Sequence, residues 1–393
     1  MNKAISLSLV TTITALMVLA LTGSAVFGDN SSRKIVIFDT NALNDAAQDE
    51  LVTHTGGVTL KNLDLINAKS VWLPNKASEK ALEQHPAVLR VDEDVLVTTQ
   101  AKPGSTVQAA QVLPWGIDRV DAELVWPSGN NADPVKVAVI DTGISKDHPD
   151  LKANIQGGYN AINSTKSWND DNGHGSHVAG IIGALNNTVG VVGVAPLVDL
   201  YAVKVLNRQG SGFLSDVIEG IQWAVANGMK VANMSLGSSS GTQSMHDAVI
   251  AAYNAGLTIV AAAGNSGGAV IYPAAYPEVI AVSATDSANN LASFSSRGPE
   301  VDLAAPGVSI YSTYKGTGFA TLSGTSMASP HVAGAAALVL NTPVGAYDLD
   351  ADGVWDPAEV KNKLQDRSTD LGAVGFDNLF GWGLVNAFSA VQP

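Results

Sequence analysis

The 393-residue chain contains no cysteine, which excludes a disulfide framework, a cysteine nucleophile and a thiolate zinc site together. Extra stability in a harsh medium would then have to come from packing or from a bound metal. Charge is scarce as well. Only 15% of residues are charged against 46% hydrophobic, so a large core is affordable and the chain as a whole is not disordered. Basic residues are the scarcer sign: 22 Lys and Arg stand against 36 Asp and Glu, a formal charge of −14. That balance and the lack of any basic patch argue against a nucleic-acid partner, and suit an acidic, soluble protein able to hold cations. No internal repeat or low-complexity tract is present, and no second apolar run matches the one at the N-terminus.

That run lies in "MNKAISLSLVTTITALMVLALTGSAVFG" (1–28), with Lys3 in front, an apolar stretch from Leu7 to Leu21, and small residues at Ala25 and Gly28. It reads as a secretory signal. The alternative is a retained anchor, because the stretch approaches spanning length if Ser and Thr are tolerated. From Lys34 to Val97 the pattern alternates "KIVIF", "NDAAQDELVTHTG", "GVTLKNLDLINAKSVWL", "ASEKALEQH" and "AVLRVDEDVLV", predicting a small βαββαβ unit. "TTQAKPGSTVQAAQ" follows as an exposed linker open to proteolysis. Beyond it come near-continuous Val/Ile/Ala runs: "VKVAVID", "DLYAVKVL", "KVANMSLG", "LTIVAAAGN" and "VIAVSAT". Such runs suit strands covered on both faces, so a parallel α/β sheet is expected, with its chemistry beyond the carboxyl ends of the strands.

In "LSGTSMASPHVAGAAALVL" (322–340), polar Gly-Thr-Ser precedes a run too apolar for a surface helix. Pro330 fits a first helical turn, which puts Ser326 near a helix N-terminus, where orphan amides favour developing negative charge. An N-cap role for the serine is the plain alternative. Two further segments, "VAVIDTGISKDHPDL" with Asp141 and "DDNGHGSHVAGIIGA" with His174, complete a hydroxyl, imidazole and carboxylate set. Their order, Asp then His then Ser, differs from the Ser, acid, His order around a GxSxG elbow, and residues 324–328 read GTSMA.

These three blocks, flanking residues included, resemble the subtilisin-like serine proteases, secreted calcium-dependent subtilases, over residues 110–393; residues 34–97 look like that family's inhibitory prodomain. The resemblance implies an α/β fold with a mainly parallel central sheet and helices on both faces, preceded by a small ferredoxin-like α+β prodomain. It divides the chain into a signal (1–28), prodomain and linker (29–109) and catalytic domain (110–393). By the same match Asp141 orients the imidazole, His174 is general base and then acid, and Ser326 is the nucleophile. Asn265 in "AAAGNSGG" matches the oxyanion asparagine, with a turn residue as its bland reading. Glycine at 324 with Thr325 would let the backbone approach substrate closely.

Residues Ser235, Leu236 and Gly237 would pair with a bound peptide, and with Ala262 and Gly264 would border the pocket for the side chain before the cut, its far wall near Ile271 to Pro273. "ALNNTVGVVGVAP" (184–196) resembles the family's calcium loop, with oxygens from Gln111, Asp150 and Asn187 and the carbonyls of Leu185, Val189 and Val191. The acidic stretch "DLDADGVWDPAE" (348–359) is separate from that common core. Asp348, Asp350, Asp352, Gly353, the Val354 carbonyl, Asp356 and Glu359 fall at positions 1, 3, 5, 6, 7, 9 and 12 of an EF-hand-type loop. A merely solvated acidic loop is the alternative. His54, His85, His148, His177, His246 and His331 are expected to be structural or surface residues. The expected product is a monomeric extracellular endopeptidase acting on proteins, self-processed near Ala109-Ala110, with its own prodomain as inhibitor and no stable membrane association once the signal is removed. The competing readings are a catalytically silent peptide-binding relative and an esterase or lipase of another fold.

Overall fold

Alternation of buried side chains organises the computed structural model, which describes residues 32–99 and 110–393. The expected signal (1–28) and linker positions 100–109 lie outside the described residues. The N-terminal unit runs β1 (Ser32–Phe38), α1 (Asp45–His54), β2 (Val58–Leu63), β3 (Ala68–Leu73), α2 (Lys76–Glu83) and β4 (Val88–Glu93), its sheet ordered β2-β3-β1-β4 and antiparallel throughout. Each helix starts at an asparagine cap: Asn44 accepts from the Ala47 amide and Asn75 from the Ser78 amide. Along β1, Val36 and Phe38 face the unit's own core with Val52, Val71, Leu73 and Leu82, while Ile35 and Ile37 join the core of the larger unit.

The larger unit contains α3 (Trp115–Arg119), β6 (Lys136–Asp141), β7 (Ile155–Asn160), α4 (His174–Gly183), β8 (Asp199–Lys204), β9 (Ser211–Phe213), α5 (Leu214–Ala226), β10 (Val231–Met234) and β11 (Leu236–Gly237). These are followed by α6 (Gln243–Asn254), β12 (Thr258–Ala262), β13 (Val279–Thr285), β14 (Leu303–Pro306), β15 (Ile310–Thr313), β16 (Phe319–Leu322), α7 (Thr325–Leu340), α8 (Pro357–Asp366) and α9 (Ala387–Val391). Seven strands form one sheet, ordered β14-β13-β12-β10-β6-β8-β7, with every pairing parallel. Val137 and Val139 of β6 point to the layer of α4 and α7, while Ala138 and Ile140 point to the layer of α5 and α6. Burial on both faces is why these strands read as unbroken apolar runs.

The last strand of the N-terminal segment, β5 (Leu96–Thr99), leaves its own unit. It lies between β9 and β11, antiparallel to both, with Leu96 opposite Phe213 and Thr99 opposite Leu236. Val97 is buried there. The N-terminal sheet meanwhile covers the starts of α5 and α6. Asp94 accepts from the amide and hydroxyl of Ser215 (both 2.8 Å), and Asp92 from the amide of Ser244 (3.0 Å) and its hydroxyl. Both carboxylates thus cap helices of the other unit.

Candidate active site

Two of the expected site residues, Asp141 and His174, are in contact at the carboxyl end of β6, and the third, Ser326, lies at the start of α7. Asp141 ends β6 and is fully buried; His174 opens α4; Ser326 is the second residue of α7. His174 Nδ1 lies 2.8 and 2.9 Å from the two Asp141 carboxylate oxygens, one of which also accepts from the Thr142 amide at 2.7 Å. This bond holds the proton on Nδ1 and leaves Nε2 as the acceptor nitrogen. Nε2 is buried and makes no hydrogen bond among the described residues.

Asp170, which the sequence reading missed, braces this pair. One of its oxygens accepts from the Thr142 hydroxyl (2.9 Å) and the amides of Asn172 (2.9 Å) and Gly173 (2.8 Å). The other accepts from the amide and hydroxyl of Ser176 at 2.9 and 2.6 Å. One buried carboxylate therefore ties the residue after Asp141 to the first turn of the helix that carries His174. Its signal in the sequence was an acidic residue four places before the histidine, at a position suited to collecting helix N-terminal amides.

Around Ser326 the structure corrects one expectation. Helix α7 starts at Thr325, so Pro330 lies inside it and not in the first turn. Proline has no amide to offer the carbonyl four residues earlier, that of Ser326. The Ser235 hydroxyl donates to that carbonyl instead, at 2.9 Å, and the Ser326 hydroxyl donates to the Ser235 carbonyl at 3.0 Å. Asn233 donates to the Ser235 hydroxyl (2.9 Å) and accepts from that of Ser329 (2.7 Å), completing a buried network beneath Ser326. Asn265 follows β12; its Oδ1 accepts from the amide and hydroxyl of Thr325 at 2.9 and 3.0 Å, which makes Nδ2 the donor end of its side chain.

The chain matches the model of the Subtilase family over residues 132–383. It is 49% identical over 313 residues to an alkaline protease of Shouchella clausii, covering 79% of this chain and 76% of that one. Subtilisin Savinase of Lederbergia lenta is 50% identical over 284 residues, 72% of this chain and 100% of that one. Subtilisin E of Bacillus subtilis (strain 168) is 42% identical over 358 residues, 90% and 88% of the two chains. The chain belongs to the subtilase family. It is a serine endopeptidase with the α/β subtilisin fold expected from its sequence.

Three other histidines of the subtilase, His148, His177 and His331, are buried structural groups. His177 Nε2 lies 3.1 and 3.0 Å from the carbonyls of Ile310 and Ala320, and burial drives its pKa down to about 3. His331 Nδ1 meets the Met327 carbonyl at 2.8 Å, with burial lowering its pKa to about 4. The His148 ring bridges the Gly318 carbonyl and the Asp150 amide, and burial lowers its pKa too.

The residues expected to hold a first calcium converge. Gln111 Nε2 lies 2.8 and 3.2 Å from the carbonyls of Leu185 and Val191; Asn187 Nδ2 lies 2.7 Å from one Asp150 oxygen and the Val191 amide 2.9 Å from the other. The Val189 amide donates to Asn187 Oδ1 at 2.6 Å. Burial raises Asp150 to about 6, against the pull of the Val191 and Asn187 hydrogen bonds. A buried carboxylate among carbonyls and amides is a hard oxygen set, and it fits calcium once the side-chain amides turn their oxygens inward.

In the acidic loop the expected ligands fall into two groups. Asp348, Asp350 and Asp352 gather with carboxylate oxygens within 4.8 Å of one another. Asp356 and Glu359 do other work: Asp356 caps α8 by accepting from the amides of Ala358 and Glu359 (2.9 and 3.0 Å), and Glu359 accepts from those of Asp356 (3.1 Å) and Leu349 (2.7 Å). The helix that follows at Pro357 competes for both carboxylates, because its first amides lack partners. The Val354 amide, for its part, donates to Asp352 at 2.7 Å.

Proposed function

We propose that this subtilase is a secreted preproenzyme that hydrolyses peptide bonds of proteins through an Asp141-His174-Ser326 triad and an acyl-enzyme. The observation that carries the reading is the His174 ring, held at Nδ1 by Asp141 while its buried Nε2 makes no hydrogen bond among the described residues. The Ser326 hydroxyl rotates from the Ser235 carbonyl toward Nε2, attacks the substrate carbonyl carbon and passes its proton to His174. Asp141 stabilises the imidazolium that forms. The tetrahedral oxyanion takes hydrogen bonds from Asn265 Nδ2 and from the Ser326 amide in the first turn of α7. Nε2 then protonates the leaving amine as the carbon–nitrogen bond breaks, leaving an ester on Ser326. Water, deprotonated by the same nitrogen, releases the acid product.

Residues 29–109 act as the prodomain. Strand β5 supports this: it runs between β9 and β11 as an extended substrate would, bonded through main-chain groups that do not read sequence. Residues 235–237 therefore form the binding edge, with Ala262 and Gly264 across from it. Self-cleavage in the linker that follows β5 frees the catalytic domain. Calcium at Gln111, Asp150, Asn187 and the Leu185, Val189 and Val191 carbonyls would fasten the segment after that cut to the loop at 184–196. The trio Asp348, Asp350 and Asp352 would hold a second cation, neutralising charges that otherwise repel. Export follows from residues 1–28; no helix among the described residues is long and apolar enough to cross a membrane.

A fluorophosphonate probe and mass spectrometry test the reading in one experiment. The wild-type chain should label at Ser326 and shed its N-terminal segment, whereas Ser326→Ala should do neither. An unlabelled, unprocessed wild-type chain would leave the silent peptide-binding relative as the better description.

A further inference from the structure

Two backbone segments meet the start of α7: 235–237, whose first carbonyl accepts from the Ser326 hydroxyl, and 262–264, whose Gly264 amide donates to the Thr325 hydroxyl at 3.1 Å just before Asn265. Strand β5 pairs Thr99 with Leu236, so a peptide continuing that register brings its next residue level with Ser235 and the nucleophile. The side chain of that residue, the one before the cut, enters the slot between the two segments. Each wall carries a buried glycine, Gly237 and Gly264, which should leave the slot wide.

The space is taken. A Cβ built on Gly237 would come within 2.4 Å of Ile271 Cδ1, and one on Gly264 within 3.1 Å of Ile271 Cγ2. The Ile271 side chain therefore lies between the walls, against both glycines. Its backbone is pinned to each wall: the Ile271 amide donates to the Ala263 carbonyl at 3.0 Å, and Tyr272 exchanges two 3.0 Å hydrogen bonds with Ser238. A β-branched side chain on a backbone so held has few rotamers through which to swing aside.

We propose that Ile271 fills the primary specificity slot, so that the protease cuts after residues with small side chains, glycine, alanine and serine, and discriminates against large aromatic and long basic ones. The proposal rests on the assignment of Ser326 as nucleophile and adds the substrate class. A filled slot rejects by steric exclusion. One surplus methylene in an apolar pocket already changes kcat/KM by roughly 10–200-fold, and a phenylalanine ring adds far more than one.

The test uses the matured enzyme and peptide anilides identical except for the residue before the anilide: Gly, Ala, Ser, Phe or Lys. Wild type should turn over the Ala substrate with a kcat/KM at least ~10-fold above the Phe substrate, and Ile271→Gly should shift that ratio toward Phe by at least ~10-fold. Ile271→Ala, which keeps a Cβ and ordinary backbone preferences, should shift it the same way by less. Mapping the cuts made in casein by mass spectrometry should find small residues before them. Wild type favouring Phe, or a ratio unmoved in both variants while fluorophosphonate titration counts full active sites, overturns the proposal. A wild-type enzyme that neither labels nor cleaves any anilide sinks the nucleophile assignment instead, and this inference with it.

Discussion

Two fully buried imidazoles should make this protein acid-labile by an amount that can be worked out. His177 shares its Nε2 proton between two carbonyls, and its Nδ1 makes no hydrogen bond among the described residues; His331 bonds through Nδ1 to Met327, and its Nε2 is likewise without one, with a Cβ on Gly116 reaching to 2.5 Å of it. Protonating either ring would bury a charge, and burial holds the folded-state values at about 3 and about 4, against 6.5 for a free ring. Because both are depressed, the unfolded chain binds the extra protons. Stability is complete above pH 6.5 and is lost as pH falls toward those folded values. Each ring contributes a slope of ~1.4 kcal/mol per pH unit, hence about 2 kcal/mol at pH 5 and about 4 kcal/mol for the pair. The assay is urea unfolding of the Ser326→Ala chain, which suppresses self-digestion, at pH 7, 6 and 5, with the midpoint and slope giving the free energy at each. Glutamine at position 177 or 331 lowers overall stability, yet each substitution should flatten the dependence between pH 6 and 5 by ~1.4 kcal/mol per unit. Slopes unchanged in both variants would refute the argument, whatever the substitutions cost in absolute terms.

Asn265→Ala should lower kcat by roughly 10²–10³ with KM little changed, a figure that comes from a subtilisin and not from the distances here; steady-state kinetics decide it. Chelation should lower the unfolding temperature, since a cation that binds only the native chain stabilises it by mass action, and calorimetry with and without chelator checks this. Trp355, largely buried between Asp352 and Asp356, should sensitise terbium luminescence on titration, and Asp350→Asn combined with Asp352→Asn should abolish the signal. Asp94→Ala removes a cap worth about 0.5–2 kcal/mol at the start of α5, so residues 29–99 added in trans should inhibit about 2–30-fold more weakly, read from inhibition constants.

Much of this was legible in the sequence, and what was not has a common physical cause. Strands β6, β8, β12 and β13 are sandwiched between helical layers, so their middle residues are nearly all apolar and the run stands out. The N-terminal unit showed itself because β1 alternates between two cores and its helices open at asparagine caps. Asp141, His174, Ser326 and Asn265 each lie at or just beyond a strand end or in a first helical turn, where local sequence carries a cap or a break. Contacts far along the chain left no such mark. "AVLRVDEDVLV" looks like one strand, but β5 departs after Asp94 because its partners, β9 and β11, lie more than a hundred residues away. Pro330 misled for the same reason. Read locally, a proline should sit in a first turn, because further in it orphans a carbonyl. Here that carbonyl belongs to Ser326 and is satisfied by Ser235, 91 residues earlier, in a reciprocal pair that also parks the Ser326 hydroxyl. The broken helical bond thus becomes an anchor: the proline that looks like a fault in α7 frees the Ser326 carbonyl as an acceptor, through which the Ser235 hydroxyl holds Ser326 in place.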